Sequence, residues 1–308
     1  MDNLTHSLIG AALAQCGLKR RTGLAMPAMI LAANLPDIDA PCAIYGVESL
    51  AMRRGITHGP IALLVLPLLL AGALIAFDRW QARRGRRPVG RAQVNPGWLV
   101  ALCYLGAFTH PLFDWFNTYG IRLLEPFSSR WFYGDTLFIV DIWVLIMLAA
   151  GLWRSLRAER QGRTDWTRPA RIACSGVAAY VAANMGISYL AERQVMADSP
   201  YPVIAVASPL PIAFWEREVL WRTADGYYGK FRCNALRCVR FPRVMRKIAM
   251  DDPRVAERAK ASPPARAFLF WSRMPVATRE DESIVLTDQR FDNGLTRGTF
   301  RVVLDPPR

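Results

Sequence analysis

Long apolar blocks separated by short arginine-rich stretches dominate the first two thirds of the chain, in place of the amphipathic periods of a soluble fold. Crossing a bilayer takes about 20 apolar residues. Residues 60–77 and 172–190 approach that length without a single charge, and residues 136–153 do so with Asp141 alone. Residues 98–117 are apolar except for His110 and Asp114. Two shorter pieces, 3–18 and 22–36, come first; they either cross as a compact pair or enter and leave one face. The pattern predicts an α-helical polytopic membrane domain over residues 1–190, with about four long transmembrane helices plus two shorter N-terminal ones.

From residue 191 the character changes. The tail, 191–308, is polar and carries β-type runs at 201–207, 218–222, 283–287 and 299–304. Asp225-Gly226 and Asn293-Gly294 are turn signals. Residues 252–261 read as a helix with Pro253 in its first turn. A small extramembrane α+β domain follows from these signals.

Charge orients the membrane part. Apolar residues make up 52% of the chain and the formal charge is +14. A soluble protein with that charge would point to nucleic acid, but here the arginines sit between apolar blocks, which excludes that class. Residues 78–96 and 154–171 hold six arginines each, whereas 41–57 and 118–135 hold two each. The positive-inside rule places the richer loops in the cytoplasm and everything after residue 190 outside, in a bacterium the periplasm. The opening MDNLTHSLIG lacks the positive region of a signal peptide. Cys16, Cys42, Cys103 and Cys174 lie in or beside apolar segments as packing residues. Cys233 and Cys238 are close enough in sequence to pair if the tail meets an oxidising compartment.

Candidate chemistry lies where rare ionisable residues meet apolar blocks. There are three histidines, His6, His58 and His110, each in a short polar cluster. Asp37 and Asp39 lie between Pro36 and Pro41, and Asp135 and Asp141 flank the start of the 136–153 segment. Such groups at membrane depth cost several kcal/mol, so they mark function by default. His110 and Asp114 are four apart, which puts both on one face of a helix, a common way to present two metal ligands. Thr57 is placed to cap the helix that Pro60 opens. Singly, each residue has a plainer account: a packed histidine, a capping aspartate, an aspartate paired with arginine. Arg53 and Arg54 read as interfacial anchors, with an anionic head group as the other reading, and Trp131, Phe132 and Tyr133 as an aromatic belt. At least three of the four clusters fall on one predicted side, with His6 joining them if residues 3–18 span, and this favours a shared metal site.

The set MDNLTHSLIG, NLPDID, RRGITHG, THPLFDWFNTYG and RWFYGDTLFIVD resembles the bacterial membrane-bound metal-dependent hydrolases, the YdjM-like, LexA-regulated inner-membrane group. The resemblance covers about residues 1–150. It implies His6, Asp37, Asp39, His58, His110 and Asp114 as metal-site residues, with Asp135 and Asp141 also in motif positions. The expected cofactor is one or two divalent ions, zinc first and manganese second, because nitrogen and carboxylate donors are mixed. The expected reaction is hydrolysis by a metal-activated water, with Asp39 or Asp135 as the base, on a membrane lipid or lipid-linked phosphate. The rival is a transporter or proton relay, which predicts ionisable residues strung through the bilayer depth.

Overall fold

The computed structural model describes residues 1–198, 202–234, 237–240, 246–247, 249–280, 282–291 and 298–304. They form two compact units, Met1–Ile38 with Arg54–Ala183 and Asp39–Arg53 with Asn184–Arg308.

The first unit is helical. Helix α1 (Asn3–Gln15) starts at Asp2, whose carboxylate accepts the Thr5 backbone N–H at 2.9 Å. Helix α2 (Ala25–Asn34) runs into 3-10 turns over Leu35–Glu48, and α3 (Ser49–Met52), in the second unit, follows. Helix α4 (Pro60–Arg83) is capped by Gly59 with Pro60 in its first turn. Thr57 is therefore not the cap. It lies in a separate 3-10 turn, Ile56–His58. Helix α5 (Pro96–Trp115) begins at Asn95, whose side chain accepts the Trp98 N–H at 3.1 Å.

Helix α6 (Ile142–Arg160) starts six residues later than the apolar run at 136 predicts. Asp141 stops it there by accepting the N–H groups of Trp143 and Val144 at 3.1 and 3.2 Å. The helix keeps only residues 142–153 of that run before Arg154 begins its charged end. Helix α7 (Thr167–Asp198) completes the set. Among the described helices, α4 and α7 are the two long and apolar enough to cross a membrane.

Two glycines let three helices touch. A Cβ on Gly10 of α1 would lie 2.5 Å from the Met29 carbonyl oxygen of α2. One on Gly106 of α5 would lie 2.8 Å from the Ala32 Cβ and 2.9 Å from that same oxygen. Small residues that bring backbones into contact are how helices associate without a hydrophobic driving force. His6 is four residues before Gly10 and His110 four residues after Gly106. The faces that close on α2 are thus the faces that carry the histidines.

The second unit is a small α+β assembly. Strands β1 (Pro202–Pro209), β2 (Glu216–Thr223), β3 (Tyr227–Asn234) and β4 (Cys238–Arg240) form an antiparallel sheet in that order, and β5 (Arg246–Lys247) also pairs with β3. Asp225-Gly226 turns β2 into β3, with Gly226 at φ 79°. The Asn293-Gly294 turn lies outside the described residues. Helix α8 (Pro253–Ala261) has Pro253 in its first turn, as the sequence pattern predicts, and is capped by Asp252. Helix α9 (Pro263–Trp271) escapes that pattern, because Pro263-Pro264 reads as a break; both prolines occupy the first turn behind a Ser262 cap. Strands β6 (Pro275–Glu280), β7 (Ser283–Asp288) and β8 (Arg301–Leu304) make a second antiparallel sheet.

Cys233 and Cys238 are bonded across β3 and β4, with Cα atoms 4.0 Å apart. Fully buried Arg217 of β2 ties the sheet to the second half of α7, donating to Ser188 Oγ at 2.8 Å and to Asn184 Oδ1 at 2.7 Å. Asp288 is buried too, and burial pushes its carboxyl up. Arg290 at 2.8 Å and the Ser272 hydroxyl outweigh that and hold it below the usual carboxylate range.

Candidate metal centre

Five side chains from four segments meet inside the first unit. His6 comes from α1, Asp37 from the 3-10 run, His58 from the 3-10 turn before α4, and His110 and Asp114 from α5. All three imidazoles are fully buried, and Asp114 is 1% exposed.

The donor atoms lie at ligand separations. His58 Nε2 and His110 Nε2 are 3.1 Å apart. Asp114 Oδ2 is 3.5 Å from His110 Nε2 and 3.6 Å from His58 Nε2. Asp37 Oδ1 is 3.7 Å from His110 Nε2 and 4.0 Å from His58 Nε2. His6 Nε2 stands 3.4 Å from the other oxygen of Asp114. The ligand atoms of His6, His110 and Asp114, and likewise those of Asp37, His58 and His110, lie within 4.8 Å of one another. Most of these separations are too long for hydrogen bonds. They are close to the roughly 3.3–3.6 Å between neighbouring donors held about 2.0–2.2 Å from a tetrahedral ion.

Local hydrogen bonds aim the rings. His110 Nδ1 lies 2.7 Å from the Ala33 carbonyl oxygen, so Nδ1 carries the hydrogen and donates it, leaving the Nε2 lone pair facing the cluster. Thr57 Oγ1 is 2.9 Å from His58 Nδ1. With the hydrogen of His58 on Nδ1, its Nε2 also turns a lone pair inward. His6 stacks on His110 with ring centroids 3.8 Å apart. Neither ring nitrogen of His6, nor Asp114 Oδ2, makes a hydrogen bond among the described residues. Buried polar atoms left this way are costly unless an ion takes up their lone pairs, so this donor set fits a divalent cation.

Arg54 is the residue the sequence pattern misplaces. It is not an interfacial anchor: it is 5% exposed, at φ 54°, and its guanidinium lies 3.1 Å from Asp114 Oδ1. It also donates to Asn117 Oδ1 at 3.1 Å and to the Gly120 carbonyl oxygen at 3.3 Å, and lies over the Tyr119 ring. The Met1 amino group meets the same Asp114 oxygen. Nothing in the sequence separates Arg54 from its neighbour Arg53; only the turn from Asp114 to Asn117 and Gly120 shows why a buried cation is needed there.

Among the described residues, Asp135 is in neither group of mutually close donors. Asp39 belongs to the second unit and faces Arg53 Nε at 3.9 Å. Asp135 is 6% exposed at φ 47°, a conformation a non-glycine residue holds only at a cost of about 1–3 kcal/mol. Its neighbours Thr136 and Leu137 donate backbone hydrogen bonds to the Phe116 carbonyl, two residues past Asp114. Asp141 is the α6 cap and accepts the Tyr180 hydroxyl at 3.2 Å.

The profile of the YdjM inner membrane protein family matches residues 1–192. The chain belongs to this family. Every residue of the buried cluster lies inside the matched range, and the match stops ahead of β1. Membership makes this an inner membrane protein. No curated protein and no solved structure shows detectable similarity to the chain.

Proposed function

We propose that the first unit is a metal-dependent hydrolase that cleaves a phosphoester or ester of an amphiphilic, lipid-like substrate at the outer face of the inner membrane. One observation carries the reading: three histidines and two aspartates, far apart in sequence, converge on one buried centre. A proton relay needs such groups spread along a path. A bound zinc or manganese ion would polarise the scissile group and its attacking water. The chain's own share is to hold and aim the donors. Ala33 and Thr57 fix two rings, and Arg54 balances Asp114. Asp135 is our preferred carboxylate to take the water's proton, because its strained backbone is held against the end of α5; Asp39 is the second. His6, Asp37, His58, His110 and Asp114 form the ligand set, and nucleic acid has no part in this reading.

The test uses full-length protein in detergent, stripped of metal and reloaded with zinc or manganese. Turnover of a phospholipid or lipid-linked phosphate that depends on the added ion is expected. Stoichiometric metal with no turnover across a broad panel would overturn the enzyme reading and leave a structural or sensing ion.

The same reading makes the protein multi-pass. Helices α4 and α7 span, α5 and α6 accompany them, and the arginine-rich segments at 78–96 and 154–171 face the cytoplasm. The Cys233–Cys238 bond supports a periplasmic tail, since disulfides persist there and not in the cytosol. Single cysteines introduced near residues 85 and 162 should resist an impermeant thiol reagent in intact spheroplasts, while one in the tail should react. The reverse labelling pattern would reject this orientation.

A further inference from the structure

Away from the metal centre, α6 and α7 frame a cleft of about 750 Å³ with two chemical halves. Its walls toward the middle of the helices are apolar or small, from Met147, Ala150, Ile172 and Gly176. Its other end is rimmed by Arg154, Arg157 and Arg168. These three side chains are exposed, and none makes a salt bridge to a carboxylate among the described residues, although Asp165 on the same rim feels the charge of Arg168; Arg157 lies over the Trp153 ring at 5.7 Å. Arg163, also on the rim, is already held by Asp165 at 2.9 Å.

We infer that this cleft binds an anionic phospholipid, with its phosphate at Arg154, Arg157 and Arg168 and an acyl chain along the apolar wall. Charge and polarity change together along the cleft, in the order that a lipid's head and tail require. Basic pockets between membrane helices on the cytoplasmic side recognise anionic head groups in this way, and the arginine-rich 154–171 segment faces that side in the topology above. Arginine suits the task because its planar fork meets phosphate oxygens two at a time. Neither residues nor chemistry are shared with the metal centre, so this lipid is a bound companion and not the substrate.

The experiment is native mass spectrometry of the full-length protein titrated with phosphatidylglycerol or phosphatidylcholine. Wild type should retain phosphatidylglycerol in preference. The triple variant Arg154→Gln, Arg157→Gln, Arg168→Gln should lose about tenfold or more in affinity, since each basic side chain near an anionic lipid contributes appreciably. A control triple, Arg79→Gln, Arg83→Gln, Arg86→Gln, removes equal charge from the other arginine-rich segment and should bind as wild type does. Gly176→Leu fills the apolar wall, with no neighbour closer than Met147 Sδ at 3.6 Å from its Cβ, and should weaken long-chain but not short-chain phosphatidylglycerol. Equal losses in both arginine triples, or full competition by glycerol phosphate alone, would overturn the site in favour of diffuse charge attraction. Hydrolysis by the wild type is read separately, so failure here leaves the metal-centre proposal standing.

Discussion

His110→Ala is expected to abolish metal binding and ion-dependent hydrolysis while the protein still inserts and folds. His110 Nε2 is the atom the whole centre shares: it lies 3.1 Å from His58 Nε2, 3.5 Å from Asp114 Oδ2 and 3.7 Å from Asp37 Oδ1. It also belongs to both groups of mutually close donors. Outer partners of a ligand already tune metal affinity by 10–100-fold, so removing the ligand itself should cost roughly 100-fold or more. Alanine suits a helix, and the close contact of α5 with α2 rests on Gly106, one turn away, so the helices keep their contact. The measurements are zinc content after desalting, initial rate, and elution as a monodisperse peak. Full zinc content in a well-folded His110→Ala protein would sink the metal centre. Thr57→Val should act in the same direction but more weakly, because it loosens only the aim of His58.

How much of this was legible in the sequence follows from what each signal depends on. The helical blocks were legible because apolar length alone sets them, and α1, α2, α4 and α5 fall where that length places them. The start of α6 was not, because an apolar run does not show that Asp141 will cap a helix in its midst. The His110–Asp114 pair was legible from its four-residue spacing. The grouping of His6 with them was legible only from the motif set, not the contact that achieves it: Gly10 and Gly106 bring α1 and α5 onto α2, which spacing within one segment cannot show. The place of Asp37 was legible only as one of a pair, because its two-residue spacing from Asp39 puts them on no common helix face and only the 3-10 turns show Asp37 reaching the histidines. In the tail, β7 and β8 announced themselves through β-branched runs. Strand β3 did not, because Lys230 and Arg232 interrupt its apolar alternation.

Arg54 offers the sharpest test of how the centre is balanced electrostatically. Arg54→Met should lower the melting temperature of metal-free protein strongly, because breaking a buried ion pair by removing one partner costs about 3–5 kcal/mol. Zinc should recover most of the loss. A dication beside Asp37 and Asp114 supplies the positive charge that Arg54 otherwise provides, and without the guanidinium it no longer meets a like charge bonded to Asp114 at 3.1 Å. The zinc-induced rise in melting temperature should therefore be larger in Arg54→Met than in wild type, since a ligand stabilises the folded state in proportion to the logarithm of its affinity. Arg54→Lys keeps the charge but loses the fork that reaches Asn117 and Gly120, and should fall between the two. If Arg54 acts only as a backbone brace, Arg54→Met will melt lower by the same amount with and without zinc. That result would remove the charge-balancing role and leave Arg54 with a purely structural one.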